Sequence, residues 1–138
     1  MNKTLTALMT KLTWQLSELD QQIQTIENEL GNLEQQLQEN KTLIANASIT
    51  PSIILPEQEI GRLNYMMRQQ QLQDDINQTI NELSSQKNAL SERKIRVNME
   101  LKMLTKHQQN QHDERKHQLD IQQQNAADEW VTQRREPV

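Results

Sequence analysis

From Leu5 to Ile44, apolar side chains recur at alternating steps of four and three residues. One line carries Met9, Leu16, Ile23, Leu30, Leu37 and Ile44, and the other Leu5, Leu12, Leu19, Ile26, Leu33 and Asn40. Eleven of these twelve positions are apolar, and a mean spacing of 3.5 residues keeps one stripe facing a partner helix as the two supercoil left-handedly. The pattern predicts a first helix over about residues 3–46 that forms one strand of a coiled coil. Asn40, the polar member of the seam, either sets the register or marks a helix end relaxing into a loop.

The alternation stops at residues 46–56, which contain Pro51 and Pro56. Proline inside a helix loses a hydrogen bond and clashes with the preceding turn, but it suits the first turn, where its missing N–H is not needed. Glu57 and Glu59 then favour a helix N-terminus through the macrodipole. A turn over 47–56 and a second helix over about 57–133, with Pro137 beyond it, are expected; Gly61 is a candidate bend. Ile76, Leu83, Leu90, Val97 and Leu104 form one seam line of this helix. The companion line, Gln73, Ile80, Lys87, Lys94 and Leu101, is half polar, and lysine can lay its methylene stem along such a seam.

The seams cover similar lengths, about 60–68 Å at 1.5 Å per residue, and a short connection favours antiparallel neighbours. The expected fold is therefore all-α, an antiparallel two-helix coiled-coil hairpin with a longer second helix, forming one unit over residues 1–138. Ile44 is expected near Ile60, and Leu5 near Leu104. Residues 105–133 are left without a local partner: Thr105 to Gln118 carry no apolar side chain, and Leu119, Ile121, Ala126, Ala127, Trp130 and Val131 follow.

Composition agrees with an extended helical chain. There are 22 Gln, 17 Leu, only 2 Gly, no Phe and no Cys, whereas compact cores rely on aromatics that bury about 150–250 Å² each. This excludes disulfide scaffolds and argues against β-rich folds and most enzymes. No apolar run reaches the length of a membrane-spanning helix, and the N-terminus lacks the apolar core of a secretion signal, so a cytoplasmic address is expected. The net charge is −4, and the chain as a whole has no basic stripe suited to nucleic acid.

Candidate chemistry is sparse. His107, His112 and His117 are spaced by five, which sets neighbouring rings about 140° apart on a helix rather than on one face for a metal. Asp74 and Asp75 diverge, and no glycine-rich phosphate loop exists, so neither catalysis nor a cofactor is expected. Residues 87–106 hold Lys87, Arg93, Lys94, Arg96, Lys102 and Lys106 against Glu92 and Glu100. They form either a solvated face opposite Glu18, Asp20, Glu27 and Glu29, or a basic collar for an acidic partner. Ile49, Ile53, Ile54, Leu55, Ile60, Leu63, Tyr65, Met66 and Met67 crowd the turn and exceed what one seam can bury. They either wrap the helix ends or form a docking patch. At the other end, Trp130 beside Arg134 and Arg135 has the composition of an interface anchor.

A Leu-rich first helix, the opening Ile60-Gly61-Arg62-Leu63-Asn64-Tyr65-Met66-Met67-Arg68-Gln69-Gln70, and the terminal Asp128-Glu129-Trp130-Val131-Thr132-Gln133-Arg134-Arg135 together resemble the type III export stalk family. That family comprises flagellar FliJ and its injectisome counterparts of the YscO and SpaM kind, and the likeness extends over essentially the whole chain. It implies a cytoplasmic, non-enzymatic antiparallel coiled coil, peripherally associated with an inner-membrane export apparatus. Such a stalk inserts its joined termini into the hexameric export ATPase, stimulates hydrolysis, reaches the cytoplasmic ring of the export gate and binds unloaded secretion chaperones. Carried onto this chain, ATPase contacts fall on Leu5, Met9, Leu12, Asp128, Glu129, Trp130, Val131, Arg134 and Arg135. Gate contacts fall on Ile53, Ile54, Leu63, Tyr65, Met66, Met67 and Gln70. The short N-terminal part departs from the family and leaves the far end of helix two without its usual companion.

Two other functions fit a coiled coil. One is a homo-oligomeric cytoplasmic scaffold or adaptor, for which an obligate dimer in dilute solution is diagnostic. The other is an export or prefoldin-like chaperone; the latter needs β-hairpin material between its helices, for which residues 46–56 are too few.

Overall fold

A computed structural model of the protein describes residues 3–49 and 53–135, the side chain of Arg135 excepted. Pro51, within the expected turn, and Pro137 lie outside the described residues. The fold is all-helical: α1 spans Lys3–Ala47 and α2 spans Pro56–Arg135, 45 and 80 residues long. No strand occurs among the described residues.

Each helix end by the turn has an identifiable cause. The Leu55 carbonyl accepts a hydrogen bond from Glu59 N–H at 3.0 Å, which makes Pro56 the first helical residue. There its missing N–H is one of the donors a helix start cannot satisfy anyway. Glu57 and Glu59 supply negative charge to that first turn. At the end of α1, Ser48 N–H and Oγ both donate to the Ile44 carbonyl, at 2.9 and 2.7 Å. The carbonyl of Ala47 accepts from Arg62 Nη1 at 2.9 Å, so a cation of α2 satisfies an orphan acceptor of α1. α2 continues through Gly61, the candidate bend, without interruption or positive φ.

The chain divides into two compact units, Leu16–Ile95 and Met1–Gln15 with Arg96–Val138. Within Leu16–Ile95 the contacts between the helices come in two sets, each a heptad apart on both helices. Asn40 meets Gln69, and Ala47 meets Arg62; Asp20 pairs with Lys94 at 2.5 Å, and Glu27 with Lys87 at 3.4 Å. Seven residues forward on α1 thus correspond to seven residues backward on α2. In the other unit, Leu5 lines a groove with Thr105, Gln108, Gln111, His112 and Arg115.

Burial follows the seams. All twelve seam positions of α1 are buried or half-buried, and the line continues one further step to Ala47. On α2 a line of half-buried and buried positions runs 59, 62, 66, 69, 73, 76, 80, 83, 87, 90, 94, 97, 101, 104, 108 and 111, in unbroken steps of three and four, with 65, 84, 91 and 98 half-buried beside it. This is longer at both ends than the apolar residues announce, because Glu59, Arg62, Gln69, Gln108 and Gln111 occupy seam positions. Ile60 is exposed, and Glu59 and Arg62 stand where the sequence places Ile60 against the end of α1. The buried apolar side chains, among the described residues, are Leu5, Leu12, Leu19, Ile76 and Val97, each contributing about 1.5–3 kcal/mol if fully removed from water. Such a thin seam must offset the ordering of two long helices, so stability is spread along it rather than held in a core.

Candidate functional site

Exposed apolar side chains gather on two surfaces, one in each unit. In Leu16–Ile95 the surface lies around the turn. Ile49, Ile53, Ile54, Leu55, Ile60, Leu63 and Met67 are all exposed, Ile53 by 74% and Met67 by 70%. Tyr65 and Met66 are half-buried, with Met66 in the seam, and Gln70 is exposed with its amide donating to Asp74 at 3.3 Å. Of the gate residues expected here, Ile53, Ile54, Leu63, Met67 and Gln70 therefore present their side chains to solvent, and Tyr65 and Met66 do so in part. The surplus apolar residues of the turn do not fold over the helix ends.

What holds this surface is polar. Arg62 forms a bidentate pair with Glu59 while its remaining nitrogen binds the Ala47 carbonyl. The hydrogen bonds and charge of Arg62 hold the Glu59 carboxyl below the usual glutamate value, and the carboxylate raises the Arg62 guanidinium in return. One heptad deeper, Asn40 is only 2% exposed, and its Nδ2 donates to both the backbone carbonyl and Oε1 of Gln69. Two successive rungs of the same seam line are thus hydrogen-bonded rather than apolar.

In the unit containing the termini, residues 112–134 of α2 are exposed without a break. Trp130 is 55% exposed, and the Arg134 guanidinium lies over its ring, 4.1 Å from the centroid. This cation–π contact orients the indole while leaving it accessible. Val131, Asp128, Glu129 and Arg134 are also exposed, and Thr132 Oγ donates back to the Asp128 carbonyl at 2.9 Å. The Arg135 side chain lies outside the described residues. At the other terminus, Leu5 and Leu12 are buried and Met9 half-buried, so most of their apolar surface faces the seam. The exposed apolar side chains there are Leu8 and Trp14, which seam counting passes over because they fall off the heptad line.

The chain matches no protein-family model, no curated protein and no solved structure. Its function therefore has to be argued from these surfaces. No helix among the described residues is long and apolar enough to cross a membrane. Nor do three or more His, Asp or Glu side chains gather among them as metal ligands would.

The basic stretch of residues 87–106 separates into two groups. Lys87 and Lys94 sit in the seam and pair with Glu27 and Asp20, which accounts for them as a charged edge facing α1. Arg93, Arg96, Lys102 and Lys106 are exposed and form no ion pair among the described residues.

Proposed function

We propose that this chain is the central stalk of a bacterial type III export apparatus, an antiparallel coiled-coil hairpin without catalytic activity of its own. It links the hexameric export ATPase to the cytoplasmic ring of the export gate and stimulates hydrolysis. The observation carrying this reading is the contrast along α2: a seam over residues 59–111, then twenty-three exposed residues ending in the Trp130–Arg134 pair. Opposed steps of seven on α1 and α2, through Asn40–Gln69, Ala47–Arg62, Asp20–Lys94 and Glu27–Lys87, support the antiparallel coil. A stiff, asymmetric element can bias one subunit of a ring-shaped ATPase against the next, and an uncovered helix presenting one aromatic anchor suits that task. The exposed Ile53, Ile54, Leu63 and Met67 suit a second, apolar contact at the gate.

In this role the protein acts in the cytoplasm, beside the inner membrane and not within it, and unloaded secretion chaperones are further partners. The test is the addition of purified protein to export ATPases of flagellar and injectisome type. Stimulated hydrolysis and co-purification with a hexamer are expected. Failure of both with every ATPase tried overturns the proposal.

A further inference from the structure

The seam of α2 through Val97, Leu101, Leu104 and Gln108 has a second face directly behind it. Met99 is two residues from both Val97 and Leu101, and Lys106 is two residues from both Leu104 and Gln108, which places each about 160° around the helix from the seam. Arg96 and Met103, seven residues apart, flank this line on one side, and Lys102 flanks it on the other. All five side chains are exposed, Met99 by 59% and Met103 by 70%. The face therefore carries three unpaired cations around two bare methionines and no acid. Glu92, one heptad before Met99, and Asp113, one heptad after Lys106, bound it, and Glu100 lies off to the flank. From Arg96 to Lys106 it runs about 15 Å, or three helical turns.

We propose that this back face of α2 is a docking surface for an acidic amphipathic helix of another protein, one that carries apolar residues between its carboxylates. The complementarity is specific in both components. Three cations without local partners call for carboxylates, and methionine, flexible and polarisable, adapts to an apolar stripe of varied shape. The acidic helix α1 of a second copy does not supply that combination. The acidic stretch of α1 from Glu18 to Glu39 exposes no large apolar side chain among the described residues. An anionic bilayer fits poorly too. Each basic residue adds about 1 kcal/mol at such a surface, but interfacial helices need a continuous face of bulky apolar side chains, and Met99 and Met103 with the exposed Ile95 one turn before them do not make one. The surface is independent of the Trp130 and turn surfaces, and partner docking here does not require the stalk role.

The test uses the full chain and a synthetic helical peptide with Glu and Leu at alternating three- and four-residue spacing, beside an otherwise identical peptide with Gln for Glu. Fluorescence anisotropy is read at low and high salt for the wild type, for Arg96→Gln with Lys102→Gln, and for Met99→Ser with Met103→Ser. All four positions are exposed, so circular dichroism should show unchanged folding. The wild type should prefer the acidic peptide by about tenfold, lose affinity with salt, and lose about tenfold in the charge variant and severalfold in the methionine variant. Equal binding of both peptides, or no effect of either double variant, overturns the proposal. So does stronger binding to phosphatidylserine vesicles than to the acidic peptide, or self-association abolished by the same substitutions.

Discussion

Asn40 donates both amide hydrogens to one residue of the facing helix, at 3.0 Å to the backbone carbonyl of Gln69 and at 2.9 Å to its side-chain Oε1. Among the described residues it is the buried polar side chain, in a line where every neighbour a heptad away on α1 is apolar. A polar residue at such a position specifies register at some cost in stability. Asn40→Leu should leave the melting temperature unchanged or raise it by a few degrees. Spin labels at the exposed positions 38 and 71 should then report a second distance population that the wild type lacks. A single unchanged distance would show that turn geometry alone sets the register.

Glycine substitutions give the cleanest stability readout. A Cβ added at Gly31 or Gly61 meets nothing within 4 Å, and neither glycine has positive φ. Gly31→Ala and Gly61→Ala should each stabilise the protein by about 0.5–1 kcal/mol by relieving the entropy cost of glycine in a helix. Urea melts of the single and double variants, with gains that add, are the measurement.

The ion pairs Lys94–Asp20 and Lys87–Glu27 are each more than one-third exposed on both sides, so solvent screens them. Double-mutant cycles with alanine should give coupling below about 1 kcal/mol per pair, shrinking further in high salt. Their larger effect is on direction. Lys87→Glu with Lys94→Glu sets four acids against one another along one edge and should lower the melting temperature most at low salt.

Acid should loosen the contact between Glu59 and Arg62 at the turn. Because folding depresses the Glu59 pKa, the stabilisation from its pair with Arg62 is complete above the ordinary glutamate value of about 4.3. It is lost as pH falls through the lower, folded-state value. Arg62, with its pKa raised, stays charged throughout that window. Amide exchange near Ala47 and Arg62 should quicken across it, and Glu59→Gln should abolish the pH dependence while leaving the Arg62 bond to the Ala47 carbonyl.

Trp130 should separate binding from folding. Its side chain is half-exposed and touches Arg134 of its own helix, so Trp130→Ala should move the melting temperature little. ATPase stimulation should fall by about tenfold or more if Trp130 is the anchor. Full stimulation by the variant removes that assignment and leaves the stalk role to the rest of the helix.

The seam of α1 was legible because eleven of its twelve residues are apolar, and apolar periodicity is what a sequence shows most plainly. The ends of the α2 seam were not, because Glu59, Arg62, Gln69, Gln108 and Gln111 occupy it with long polar side chains. Counting apolar residues favours Ile60 at the turn, whereas the capping demand of the Ala47 carbonyl selects Arg62. Trp130 stood out in the sequence because it stands beside Arg134 and Arg135 in a stretch that α1 was not expected to reach. Met99 and Met103 did not, although their two-residue offset from Val97 and Leu101 was available as a signal.

Continued past Gln111 in the same steps, the seam of α2 falls on Arg115, Gln118, Gln122, Asn125, Glu129 and Thr132, with no apolar residue among them. Two such segments from neighbouring molecules would gain nothing by zipping together along that line. The far end of α2 also grows from a helix already nucleated upstream and escapes the initiation penalty that a free peptide of that length would face. A receptor that closes on Trp130 thus meets an aromatic ring on a ready-formed support, with most of the ordering cost of recognition met in advance.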